Sequence, residues 1–137
     1  LTEVIVNHGY VSRAEAARLQ NISDVFLVLS WNMPESQGIL TGKFYEGIRA
    51  KKPILSLISG NLPNCELNIL NEKFHYGFCY EDCRKEEQFS QLCDFLEKAY
   101  REKMEFGKVQ FQVSPELEAA FRYDHLAQQL EDFIQKI

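Results

Sequence analysis

The chain has 137 residues, 45% of them hydrophobic and 26% charged, with a formal net charge of −5. That length suits one domain, residues 1–137, with a core of its own, and the composition is ordinary for a globular chain. The acidic balance argues against a nucleic-acid binder, which needs a basic face, so any phosphate site has to be local. No stretch reaches the length of a membrane span and none resembles a signal peptide; a cytoplasmic protein is the expectation, with the inner face of a membrane as the alternative for a longer parent.

The predicted elements alternate. Glu3 to His8 reads as a short strand around Val4-Ile5-Val6. Ser12 and Glu15 have capping-box spacing and open a helix through about Gln20, with Ala16 and Leu19 inward. Asp24 to Ser30 is a continuous apolar run, the pattern of a central parallel strand covered on both faces. A loop from Trp31 to Leu40 follows. Thr41 then caps a helix to about Lys51, in which Phe44, Tyr45 and Ile48 suit packing. Pro53 starts the strand Ile54 to Ile58. Gly60 to Pro63 is a turn, and Asn64 caps a short helix through Asn71. His75 to Tyr80 reads as another strand. Glu86 to Lys103 is a long amphipathic helix with Phe89, Leu92, Phe95, Leu96 and Tyr100 on one stripe. Ser114-Pro115 opens a further helix. The tail repeats apolar residues at three and four from Tyr123 and Leu126 to Ile137. Strands alternating with helices imply an α/β fold with a doubly wound, Rossmann-like parallel sheet and helices on both faces. Ligands of such sheets bind beyond the carboxyl ends of the strands, where the loops Ser30 to Thr41 and Ser59 to Asn64 belong.

Other chemistry is thinly represented. The spacing of Cys65, Cys79, Cys83 and Cys93 matches no zinc pattern, so reduced structural thiols and no metal or cofactor are expected. Cys79 with His75 is a nominal nucleophile and base, but neighbouring residues of these types usually only share a strand. Glu81-Asp82 and Glu86-Glu87 suit the start of a helix, where the macrodipole favours acids.

The richest segment runs from Gly38 to Glu46: a glycine-containing loop, then a helix with Lys43 and Glu46 three apart in its first turns. The amides of Ile39, Leu40 and Thr41 at a helix N-terminus suit an anion, Lys43 adds a cation, and a carboxylate can accept from two vicinal hydroxyls. By spacing alone the same pair also reads as an exposed ion pair on a surface helix.

The order of motifs adds a resemblance. Gly9-Tyr10-Val11, then Ser12 to Leu19, Ser23 to Leu29, Pro34 to Gly38, Lys43-Phe44-Tyr45-Glu46 and Lys51-Lys52-Pro53-Ile54-Leu55 follow one another. This succession resembles the carboxyl-terminal, donor-binding half of GT-B glycosyltransferases, particularly retaining glycosyltransferase family four. The resemblance implies half of a GT-B fold and a nucleoside-diphosphate-sugar donor. Glu46 would hold the donor ribose, Lys43 with Gly38, Ile39, Leu40 and Thr41 would face the diphosphate, and Tyr10, Val11 and Arg13 would lie near the base. It also implies an amino-terminal acceptor domain as partner. The chain starts at Leu1 without Met, so a fragment of a two-domain enzyme, inactive in isolation, is the expectation.

Two departures stand out. Eight residues before Glu46 the family often has a second Glu, which meets the sugar; here the residue is Gly38. The first strand-helix unit of such a domain, with its glycine-rich loop, has no counterpart. A non-catalytic α/β module that senses nucleotides or binds proteins is the alternative.

Overall fold

The computed structural model describes residues 4–135, apart from the side chains of Tyr123 and Leu126. The ends of two expected elements, Glu3 and Ile137, lie outside these residues. Ten elements of helix and strand follow in chain order: α1 (Arg13–Ile22), β1 (Phe26–Met33), β2 (Ser36–Gln37), α2 (Gly42–Arg49), β3 (Ile54–Ser59), α3 (Glu66–Phe74), β4 (Gly77–Glu81), α4 (Lys85–Phe106), α5 (Pro115–Ala120) and α6 (Tyr123–Ile134). A short 3₁₀ turn, Asp82–Arg84, leads into α4.

The four strands form one mixed sheet in the order β2-β1-β3-β4. β1, β3 and β4 are parallel, with Phe26 opposite Ile54 and Ile54 opposite Gly77. β2 folds back antiparallel on β1, pairing Gln37 with Asn32 and Ser36 with Met33. The expected loop from Trp31 is therefore partly a hairpin, and Trp31 Nε1 donates to Ser36 Oγ at 2.9 Å across it. Side chains alternate along each strand. Ile54, Ser56 and Ile58 of β3 and Phe26 and Val28 of β1 are buried. Phe44 and Ile48 of α2 and Leu67 of α3 belong to the same core. Phe78 of β4 points the opposite way from Cys79 and stacks on Phe95 of α4 at 5.8 Å, so α4 packs on the other face.

Phe44 is the hub. It is wholly buried and meets Tyr76, Phe121 and Tyr45 edge to face at 5.1, 5.6 and 5.9 Å. Beside it, the Tyr76 hydroxyl donates to Leu67 O at 2.7 Å and lies 3.1 Å from Ser56 Oγ. Burial drives the Tyr76 phenol far above its ordinary range. Tyr76→Phe keeps the ring but leaves the buried Ser56 hydroxyl without its partner and removes the added bond to Leu67 O. Chemical denaturation of that variant is expected to register a loss of about 1–3 kcal/mol.

Four expectations need correction. Residues 4–8 form no strand: Val4, Ile5 and Val6 are 77, 69 and 72% exposed. A strand needs a neighbour for its backbone groups, and these residues have none among the described ones. β1 is covered on one face only, because Leu27 and Leu29 are 51 and 64% exposed. It lies next to the two-residue β2 at one side of the sheet, and α4 packs over β4 instead. Asn64 does not cap α3; it has a positive φ of 60°, and the Cys65 sulfur accepts from Asn68 N at 3.4 Å. His75 ends α3 in a left-handed conformation rather than starting a strand.

The helix ends otherwise follow local chemistry. Ser12 Oγ accepts from Glu15 N at 3.2 Å, but the Glu15 carboxylate turns to Arg18 instead of closing the box. Ser114 Oγ accepts from Leu117 N at 3.1 Å, with Pro115 in the first turn.

Candidate functional site

The loops after β1 and β3 meet at the carboxyl ends of the parallel strands. Asn32, buried at the end of β1, donates from Nδ2 to Leu62 O at 3.0 Å and accepts from Leu62 N at 3.2 Å through its carbonyl. The hairpin then delivers Gly38. Its amide donates to Trp31 O at 2.8 Å, so that group is committed to the loop. A Cβ on Gly38 would overlap Ser30 Oγ and approach Trp31 O to 2.5 Å. Glycine is therefore required by close approach of the two arms.

Ile39 and Leu40 lead to Thr41, the N-cap of α2. The Thr41 hydroxyl makes no cap bond, and its carbonyl accepts from Phe44 N at 3.0 Å. Orphan amides at the first turn of such a helix point outward. Gly38, Ile39 and Leu40 border a gap of about 10 Å³ with Ser30, Trp31 and Cys65, the room of one water at most.

On α2, Lys43 Nζ donates to Glu46 Oε2 at 2.9 Å. Gln20 of α1 donates to the same oxygen at 2.8 Å. Oε1 receives no bond among the described residues, so half of the carboxylate is available as an acceptor. The Lys43 hydrogen bond holds the Glu46 carboxyl below its ordinary value, against the opposing effect of burial, with help from Gln20 and Arg49. A depressed carboxyl stabilises the fold above its unfolded pKa and loses that contribution as pH falls through the folded value. With Glu46 36% exposed, the contribution is under about 1 kcal/mol. Melting curves below neutral pH are expected to show a slightly shallower acid loss for Glu46→Gln than for the unaltered chain.

Glu46 and Arg13 line one open pocket of about 1020 Å³, together with Tyr45 and Arg49 of α2 and Phe121 and Arg122 beyond α5. Lys51 on its wall pairs with Glu118 at 2.6 Å, and Arg122 with Asp124 at 2.6 Å. Among the described residues no carboxylate lies within ion-pair range of Arg13 or Arg49. The pocket therefore joins two cations outside any ion pair, an aromatic wall and a half-occupied carboxylate.

No protein-family model, curated protein or solved structure matches the chain. Lys43, Glu46 and Arg13 come together, directly or through the shared pocket. Gly38, Ile39 and Leu40 gather instead around the small gap beside α3. Tyr10 is fully exposed and Val11 is 39% exposed on the segment leading into α1. Sequence reasoning misses Gln20, Arg49 and Phe121. Arg49 follows Tyr45 by four residues on one helix face, a spacing that marks it. Gln20 and Phe121 reach the site only through tertiary packing, which leaves no local signal. Among the described residues, no group of three or more His, Cys, Asp or Glu is placed to hold a metal, and no helix is long and apolar enough to cross a membrane.

Proposed function

We propose that the chain is the donor-binding part of a glycosyltransferase, half of a doubly wound GT-B arrangement, which recognises a nucleoside-diphosphate sugar. The observation that carries this reading is the shared use of Glu46. Its Oε2 is held by Lys43 and Gln20, its Oε1 is open, and it lines the same pocket as Arg13 and Arg49. A fixed carboxylate with a vacant lone-pair set suits a ribose diol. Lys43, two arginines and the start of α2 suit a diphosphate. Tyr45 and Phe121 offer apolar rings for a base.

In this reading the chain supplies half of a cleft, and an acceptor domain supplies the rest. Its catalytic contribution is electrostatic: cations stabilise the departing nucleoside diphosphate as the sugar bond breaks. Titration calorimetry with uridine, guanosine and adenosine diphosphates tests it. One of them is expected to bind, with Lys43→Ala and Glu46→Ala each weakening it by about 1–3 kcal/mol as charge-assisted bonds are lost. Unchanged affinity in both variants would sink the assignment.

A second reading, an interaction module without catalysis, draws on the uncovered row Leu27, Leu29 and Trp31 of β1. Absence of any nucleotide binding by the chain and by the protein that contains it would favour that reading.

A further inference from the structure

The sulfur chemistry lies apart from the pocket, at the junction of α3 and β4. Cys65 is the N-cap of α3; its Sγ accepts from Asn68 N at 3.4 Å, and its own N–H donates to Glu81 Oε1 at 2.8 Å. Glu81 sits two residues beyond Cys79, on the same side of β4. The bond to Glu81 thus fixes the Cys65 backbone beside the inward row of β4, where Cys79 is 2% exposed. Cys65 packs against the core cluster that contains Cys79, and the next turn of α3 is tied to the same row where Tyr76, whose hydroxyl bonds Leu67 O, meets Ser56 opposite Cys79. All four cysteines of the chain are free. Cys65 is half-buried and borders the small gap beside Gly38, Ile39 and Leu40, whereas Cys79 is enclosed.

We propose that Cys65 and Cys79 form a dithiol that a hydroperoxide converts into a disulfide, clamping the first turn of α3 to β4. Cys65 is the attacking thiol. Its thiolate is favoured by the hydrogen bond from Cys79 and by the Asn68 amide, which together outweigh burial and the nearby Glu81. The position at a helix N-terminus acts in the same direction. Cys79 keeps its proton, because its thiol donates to Cys65 and is desolvated, both of which push it up.

The steps balance without another reagent. The Cys65 sulfur takes the distal peroxide oxygen, the O–O bond breaks, and the departing hydroxide or alkoxide leaves as water or alcohol after taking up a proton. Cys65 is then a sulfenic acid. The Cys79 sulfur attacks the Cys65 sulfur, the S–O bond breaks, and the released hydroxide leaves as water with the Cys79 proton. Two thiols are oxidised and one peroxide is reduced.

The test is oxidation of the folded chain by a small excess of hydrogen peroxide, followed by alkylation, intact mass measurement and peptide mapping. The expected product has lost two hydrogen masses and contains a peptide joining Cys65 to Cys79. Cys83 and Cys93 remain alkylated, and a dithiol reductant reverses the change. In Cys79→Ala the oxidised Cys65 has no partner and is trapped as the sulfenic acid by dimedone. Oxidation of the exposed Cys83 ahead of Cys65 would overturn the proposal. So would progression of Cys65 to sulfinic acid in the unaltered chain without a link to Cys79. Peptide mapping of the unaltered chain separates these outcomes by itself, so the test does not depend on how well the Cys79 variant folds.

Discussion

Phe44→Ala is expected to cost about 3–5 kcal/mol of folding stability, the range for removing a buried aromatic side chain. The ring is wholly buried and makes edge-to-face contacts with three other rings, so a cavity there cannot collapse onto one flexible neighbour. Denaturant unfolding monitored by far-ultraviolet circular dichroism measures the loss, and a change under about 1 kcal/mol would show that the aromatic cluster is not the structural hub. Phe44→Leu retains most of the volume and is expected to lose far less. The substitution also bears on the site. Phe44 directly follows Lys43 and precedes Glu46 by two residues, so it presses α2 onto the sheet and sets the direction of both charges. In Phe44→Ala, any nucleotide affinity of the folded fraction is expected to fall with the stability, whereas Phe44→Leu retains it.

Gly77→Ala is expected to be comparably severe, at about 2–6 kcal/mol when backbone strain and overpacking of about 1–3 kcal/mol each are combined. Gly77 opens β4 at φ 154°, and a Cβ there would overlap the backbone of Ile54 on the neighbouring strand. No side-chain rearrangement relieves a collision with the neighbouring main chain. Gly42→Ala is the natural control. It lies in the first turn of α2 with nothing within 4 Å of an added Cβ, so it is expected to be neutral or stabilising by up to about 1 kcal/mol. Thermal melts of the two variants side by side would separate a steric requirement for glycine from a general sensitivity to substitution. Equal melting temperatures would contradict the geometry.

The alternation of strands and helices is legible in the sequence because each element carries a local signature. Ser12 and Ser114 cap as expected, β3 is apolar but for Ser56 and Ser59, and α4 sets Phe95 of its stripe on the sheet while leaving Phe89, Leu96 and Tyr100 exposed. What escapes such a reading is set by neighbours. Val4-Ile5-Val6 has the composition of a strand, yet composition cannot supply a pairing partner. Leu27 and Leu29 read as buried because an apolar run does not reveal how many faces are covered. The hairpin at β2 is hidden in a polar segment, Pro34 to Gln37, too short to show alternation. At the site, the link between Lys43 and Glu46 follows from helical spacing, while Gln20 reaches Glu46 across 26 residues of chain. The cap of α3 falls one residue later than expected because Asn is the more familiar cap. The sulfur of Cys65 serves that role where the backbone of Asn64 adopts a positive φ.

The crowding at Gly38 restricts how this chain can acquire a new specificity. A carboxylate cannot be introduced there by exchanging one residue, and trimming Ser30 would not admit it, because the carbonyl of Trp31 also occupies the space. The obstruction belongs to the main chain, so it responds to segment length rather than to side-chain identity. A change of chemistry at this corner would accordingly proceed by insertion or deletion between Met33 and Gly38, which re-spaces the two arms. A library that randomises single positions would miss the productive variants, and one that varies the length of that turn would contain them.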